Sequence, residues 1–328
     1  MSTLRSNCAV CGKSEDLIRC EEGCKYMLYC GQPHRLADVA NHAVACDAVK
    51  RSKAKLDTED RLLRNPMLAH NLFEVAKGNF WRIDDTRNYM KALYSHMDYL
   101  MKIKTYGAVK AAFGYAVNAF ELCRTDCLMV RLVVPAIYVR LGKDQECYDF
   151  IKYSAVVGGD FNWPNTSIRD ADVFEPIDVF DGETRTLEFA LAAFLIKMKL
   201  LTDVRTLQNS LFLYTYLPFP SELVDRIRKL AVGEIVAERT AIFNSQNQNP
   251  LIQTLVLQIK QLYQVVKKAN PYFWSGFLDP AEFLAARPPT YYDGTIEHAQ
   301  TAVQVYYEAF VETPGSINMA REIAEKDG

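Results

Sequence analysis

The chain has 328 residues, 49% of them hydrophobic, a composition that builds a packed core with room for one large domain or two ordinary ones. Its 38 basic and 40 acidic residues are mixed along the chain and sum to a net charge of -2, so no polycationic surface obliges it to bind nucleic acid or anionic lipid. Residues 1–7 lack the apolar run of a signal peptide, and the most apolar stretch, Leu187 to Leu201, is broken by Lys197 and Lys199 before it reaches the span of a bilayer. The expectation is a protein of a reducing compartment, cytoplasm or nucleus, without a membrane partner.

Six of the nine cysteines fall within the first 46 residues, interleaved with two histidines. In chain order the pairs are Cys8 with Cys11, Cys20 with Cys24, Cys30 with His34, and His42 with Cys46. Two ligands separated by two or three residues reach one ion from a tight turn or a single helical turn, and zinc prefers four N and S donors. Four pairs therefore supply eight ligands for two closed sites, and a disulfide framework is disfavoured without a secretory leader. Gly12 and Gly23 offer permissive backbone beside the first two pairs. A short helix is expected from about Pro33, with His42 and Cys46 one turn apart. A segment of this size holds too little apolar material to fold unaided, whereas structural zinc supplies on the order of 10 kcal/mol per ion.

This arrangement resembles the MYND zinc finger, in which two cysteine pairs are followed by an aromatic-Cys step, here Tyr29-Cys30, and a closing His-x3-Cys, here His42 to Cys46. The resemblance implies a cross-brace, with Cys8, Cys11, Cys30 and His34 on one Zn2+ and Cys20, Cys24, His42 and Cys46 on the other. The sequence departs from the family pattern in the three residues between Cys20 and Cys24 and in a histidine at 34 where cysteine is usual. It departs again at Arg35 and Val39, which stand where family members that grip proline-rich peptides resemble one another in a glutamine and a tryptophan. An acidic or phosphorylated segment suits Arg35 better than a proline-rich one.

After the finger, assigned to residues 1–50, the charged run from Asp47 to Arg64 reads as a largely solvated helix within a connection, 51–82, with Leu56 and Leu62 its main apolar points. Lys50, Arg51, Lys53 and Lys55 are read there as solvated side chains, not as nucleic-acid contacts. An all-α body is expected over 83–328, since no segment alternates convincingly with period two. Its first helix is capped by Asp84 or Asp85 and carries Met90, Leu93, Met97 and Leu100. The second runs from Gly107 to about Cys123, the third from Met129 to Leu141 before Gly142, and the fourth from Asp144 to about Val157.

These four helices read as two hairpins. A shift of 38 residues places Val109, Phe113, Tyr115 and Val117 on Cys147, Ile151, Tyr153 and Ala155, the pattern of a tetratricopeptide-like solenoid. The segment from Leu122 to Phe150, and the tail to Val311-Glu312-Thr313-Pro314-Gly315, also resemble the helical bodies that accompany this finger in fungal proteins.

The connection from Gly158 to Gly182 carries Asp160, Asp170, Asp172, Asp178 and Asp181 and is expected to lie as a strap held by Phe161, Trp163, Phe174 and Phe180. Helices follow at Leu187 to Leu201, Ser221 to about Phe243, Leu251 to Lys268 and Thr295 to Val311. Cys123, Cys127 and Cys147 are expected to be core or near-core thiols, and His70, His96 and His298 ordinary polar residues.

Fully ligated zinc has no open position to activate water, and the chain shows no phosphate loop, hydrolase elbow or dinucleotide fingerprint. The leading expectation is thus a non-enzymatic adaptor that binds another protein or peptide. Resemblance keeps two narrower alternatives: a component of a ubiquitin-ligase or transcription-regulatory complex, although no apolar groove is evident in the finger, and a lysine methyltransferase relative, although no SET domain is recognisable. Direct DNA reading is disfavoured by equal acidic and basic counts, six of each, up to Lys50.

Overall fold

The computed structural model describes residues 4–21, 23–65, 71–158, 161–164, 166–182, 185–211, 213 and 219–327. Among the described residues the strands are confined to one hairpin, β1 (Ile18–Arg19) and β2 (Leu28–Tyr29), paired antiparallel with Ile18 opposite Tyr29. The rest is helical, as the missing period-two alternation led one to expect. The chain divides into two compact units: an amino-terminal unit that runs to Leu141 and includes 159–166, and a carboxy-terminal unit of 142–158 and 167–328.

The amino-terminal unit contains α1 (Gln32–Ala37), α2 (Val39–Leu63), α3 (Leu72–Val75), α4 (Asp84–Met101), α5 (Tyr106–Leu122) and α6 (Val134–Leu141). The run after the finger is one continuous helix, α2, which begins inside the finger and crosses residue 50 without a break. Its buried stripe is His42, Cys46, Val49, Ser52, Leu56 and Leu63, and the face carrying it packs on α4. Leu62, expected to be an apolar anchor, points outward at 59% exposure while its neighbour Leu63 is buried. His96 from α4 meets this stripe: its Nδ1 lies 2.9 Å from Ser52 Oγ, and burial, with the Lys53 charge second, lowers its pKa to about 4. His96 is therefore a buried, partnered residue, not a surface one. His70 lies outside the described residues.

The acidic residues expected to cap helices sit one step further in. Ile83 and Lys143 are the cap positions, and Asp84, Asp85 and Asp144 occupy the first turns, where a negative charge favours the helix dipole. Thr105 caps α5 through its hydroxyl, which accepts from the Ala108 N–H at 3.3 Å. Gly142 follows α6 with φ of 73°, the left-handed turn that glycine permits.

The carboxy-terminal unit contains α7 (Asp144–Val157), α8 (Leu187–Ser210), α9 (Ser221–Ala231), α10 (Glu234–Glu238), α11 (Thr240–Phe243), α12 (Asn249–Ala269), α13 (Phe273–Leu278), α14 (Ala281–Ala285), α15 (Ile296–Val311) and α16 (Ser316–Asp327). The helix expected over 221–243 is thus three pieces, separated at Val232-Gly233 and Arg239. From Leu187 to Leu201 every side chain of α8 except Lys199 is buried. Such a helix is apolar all round because it must be covered on every side, and α7, α9, α10, α12 and α15 all pack on it. A solenoid repeat touches only its neighbours, so the tetratricopeptide-like array is not confirmed. No helix among the described residues is long and apolar enough to cross a membrane.

The expected strap is split between the units. In the amino-terminal unit Phe161 is buried and Trp163 stacks on Phe120 at 5.0 Å. Asp160 lies outside the described residues. In the carboxy-terminal unit Val173, Ile177 and Phe180 are buried, but polar groups fix the path. Lys197 is fully buried and donates to the carbonyls of Val173 (2.7 Å) and Glu175 (2.9 Å). Gln258 donates to those of Phe174 and Glu175, both at 3.1 Å. The Glu175 carboxylate accepts from Tyr148 at 2.8 Å and pairs with Lys152 at 2.7 Å. The lysine that interrupts the apolar run in the sequence is therefore the clamp that seats the strap. Burial lowers its pKa to about 8 against the pull of Asp172 and Glu175.

His298 is likewise buried, with Nε2 3.0 Å from Glu188 Oε1 and Nδ1 accepting from the Gly294 N–H at 3.2 Å. Removing Lys197 strands the buried Val173 carbonyl, leaves that of Glu175 to Gln258 and opens a cavity, so Lys197→Ala should destabilise the carboxy-terminal unit by about 3 kcal/mol. Urea unfolding followed by tryptophan fluorescence of Trp274, buried in this unit, measures it; an unchanged midpoint would show that the strap is held without Lys197.

Candidate zinc centre

Each ligand pair is presented by a different piece of local structure. Cys8 and Cys11 lie on a knuckle closed by the Gly12 N–H to the Cys8 carbonyl at 3.0 Å, and Gly12 has φ of 76°. The hairpin delivers the next ligands, since Cys20 directly follows β1 and Cys30 directly follows β2. Between them the Lys25 N–H reaches the Cys20 carbonyl at 2.9 Å, with Lys25 itself at φ 66°, and this turn swings Cys24 back towards Cys20. His34 sits on α1, whose first turn holds Pro33 as expected, while His42 and Cys46 stand one turn apart on α2.

The eight ligands assemble into two groups, Cys8, Cys11, Cys30 and His34 in one and Cys20, Cys24, His42 and Cys46 in the other, each with its donor atoms within 4.8 Å of one another. In the first, Cys11 Sγ lies 3.6 Å from Cys30 Sγ, and His34 Nδ1 lies 3.5 Å from Cys8 Sγ and 3.0 Å from Cys30 Sγ. In the second, Cys20 Sγ lies 3.6 Å from Cys46 Sγ and Cys24 Sγ 3.3 Å from His42 Nε2. Tetrahedral zinc, with Zn–S of about 2.3 Å and Zn–N of about 2.0 Å, sets neighbouring donors roughly 3.5 to 3.8 Å apart. The donor sets thus match two Cys3His zinc ions in identity and number, with the His34–Cys30 and His42–Cys24 contacts shorter than that spacing and the others in it, and the cross-brace implied by the resemblance is the arrangement observed.

Surrounding groups hold the ligands. The Cys24 N–H points at Cys46 Sγ from 3.1 Å and the Tyr26 N–H at Cys24 Sγ from 3.4 Å, donors that stabilise thiolate on the metal. Tyr29 is buried and donates to Asp38 Oδ2 at 2.9 Å, tying the hairpin to the junction of α1 and α2. Gly23 is required for space, not for an unusual φ. A Cβ there would lie 2.1 Å from Cys46 Sγ and 3.0 Å from Cys20 Sγ.

Without metal the thiols divide: at Cys8 burial is outweighed by hydrogen bonds with the Cys11, Val10 and Cys30 backbone and with His34, which lower its pKa to about 5, whereas Cys30 and Cys46 resist ionisation. Burial, with the neighbouring Cys20 and Cys24 thiols adding to it, pushes Cys46 up to about 12, and the hydrogen bond with Cys11 pushes Cys30 up to about 11. Burial lowers the pKa of His42, which keeps its imidazole neutral and able to ligate.

The fold and the centre together define a two-zinc, cross-braced interaction-type finger carried on an all-helical body. In the comparison with protein families, residues 8–46 match the MYND finger, and that segment is a MYND finger. No curated protein and no solved structure matches the chain.

Of the finger's exposed apolar residues, Val39 alone is singled out by the sequence. Val10, Leu36, Val39 and Val44 are 47%, 66%, 52% and 79% exposed. Helical hydrogen bonds continue through the α1–α2 junction, from the Asp38 N–H to the His34 carbonyl and from the His42 N–H to that of Asp38, so Leu36, Ala40 and Val44 recur at four-residue steps along one line. The signal is present in their spacing on the helix expected from about Pro33, a helix read from the sequence for its ligands alone.

Purified protein should contain two zinc ions per chain, and Gly23→Ala should lower this towards one by disrupting the Cys20, Cys24, His42 and Cys46 site alone; loss of both ions, or of neither, would contradict the geometry. Because Cys30 and Cys46 hold their protons at pH 7 without metal, zinc added to the metal-free protein should release a proton from each, and apparent affinity should rise with pH. Proton release in weakly buffered solution, followed with an indicator dye, checks the sign.

Proposed function

We propose that this chain is an adaptor whose MYND finger docks a segment of another polypeptide. The observation that carries the reading is the exposed line Leu36, Ala40 and Val44, with Val39 beside it, on a module already stabilised by metal. A finger that folds around zinc needs no apolar contacts of its own there, and exposed apolar groups in a row favour association with a partner. The half-buried Arg35 stands next to this line and offers a planar donor fork for a carboxylate or phosphate. Val39, in place of a tryptophan, offers little platform for a rigid proline-rich segment.

The proposal includes no catalytic step, because four protein ligands at each ion leave no position for a reacting water. It places the protein in a reducing compartment, cytoplasm or nucleus, where the thiolates persist.

The test is binding of acidic and proline-rich peptide pools to the full-length, zinc-loaded protein. The acidic pool should be retained, and either Arg35→Ala or Leu36→Glu should weaken it about tenfold, near 1.4 kcal/mol. Tight proline-rich binding that ignores Arg35→Ala would overturn the proposed specificity.

A further inference from the structure

Three cysteines lie outside the finger, and two of them meet. Cys123 directly follows α5, and Cys127 lies four residues on, with their Sγ atoms 2.9 Å apart. The sequence reading placed both thiols in or near the core; Cys123 is buried, but Cys127 is exposed. A disulfide bond of about 2.05 Å would need the two sulfurs to approach by only about 0.9 Å.

The turn that carries them is held from several sides. The Cys123 N–H donates to the Ala119 carbonyl at 2.9 Å, and the Arg124 N–H to the Gly78 carbonyl at 3.1 Å. The Trp163 N–H reaches the Arg124 carbonyl at 3.0 Å, and Cys123 bridges to Asn79. Asp126, buried within the turn at φ 53°, accepts from the Val130 and Arg131 N–H groups at 2.7 and 2.9 Å. Its carboxylate is thereby occupied, and among the described residues the groupings suited to a metal are the two in the finger. The remaining neighbour is Thr125, whose Oγ1 lies 3.3 Å from Cys127 Sγ and 3.8 Å from Cys123 Sγ. Two thiols in reach of each other, one open to solvent and one shielded, with no metal-ligand partners, form a dithiol.

We propose that Cys123 and Cys127 are an oxidisable pair that exchanges with small-molecule disulfides and closes to an intramolecular disulfide. The exposed Cys127 thiolate attacks one sulfur of the small disulfide, forming a protein mixed disulfide and releasing one small thiolate. Cys123, deprotonated, then attacks Cys127 Sγ, the protein disulfide forms and the second small thiolate leaves. In sum the dithiol loses two electrons and two protons, and one small disulfide is reduced to two thiols. Partial desolvation and the hydrogen bond with Cys123 raise the Cys127 pKa, so exchange should quicken as pH rises through the mildly alkaline range.

The experiment incubates the full-length, zinc-loaded protein with oxidised glutathione, blocks the remaining thiols with an alkylating agent and maps tryptic peptides by mass spectrometry. Trypsin cleaves after Arg124 and so separates the two cysteines, placing Cys123 in peptide 111–124 and Cys127 in peptide 125–131. The expected result is these two peptides joined, released again by reductant, and formed several-fold faster at pH 8.5 than at pH 7. Because the readout uses only these peptides, oxidation of finger cysteines does not enter it. In Cys123→Ser the glutathione adduct should persist on Cys127. Wild-type protein that accumulates that adduct without joining, or whose Cys127 is only alkylated after exposure to the disulfide, would overturn the proposal.

Discussion

The rest of the amino-terminal unit depends on one helix doing two jobs. α2 presents His42 and Cys46 to a zinc site from its first turns and then continues the same buried face through Val49, Ser52, Leu56 and Leu63 onto α4. The metal therefore does more than close a small loop: it fixes the rotation of a 25-residue helix about its axis, and that rotation decides which side chains meet α4. A helix turned by one residue, about 100°, would take the ligands out of reach and Val49 off the core together. Zinc coordination and helix packing each specify the same answer, which is how a short segment with little apolar content gains a unique structure.

The exposed side of the same helix bears on function. With the inward face committed to zinc and α4, the outward residues Val39 and Val44, preceded by Leu36 on α1, are left to solvent. Their role cannot be to stabilise the finger, because coordination already supplies its core. In the proposed function, this division of labour between metal inside and apolar groups outside leaves the outer face for a partner.

All eight ligands were legible in the sequence because their spacings are local, set by knuckles and single helical turns. Which pair joins which was not legible from spacing, since the cross-brace is a long-range fact; it came from resemblance and is seen in the geometry. The main helices were legible through their apolar periodicity, including α4, α5 and α12. Their assembly was not. The clamp of Lys197 on the strap joins residues 22 to 24 apart and appeared in the sequence only as an interruption of an apolar run. His96 and His298 looked ordinary for the same reason: Ser52 and Glu188, which satisfy them, lie 44 and 110 residues away. The solenoid expectation rested on a weak repeat between 109–117 and 147–155 and could not foresee that α8 would be enclosed by five other helices.

The most direct test of this account is amide hydrogen exchange on the full-length protein with and without a zinc chelator. Chelation should abolish protection across residues 8–46, including the first turns of α2, and lower it in a gradient along α2 towards Leu63, while α8 and α12 keep theirs. Unchanged protection in 8–46 would show that the fold of the finger does not rest on metal, and an equal collapse of α8 and α12 would show that zinc governs the whole chain and not this helix.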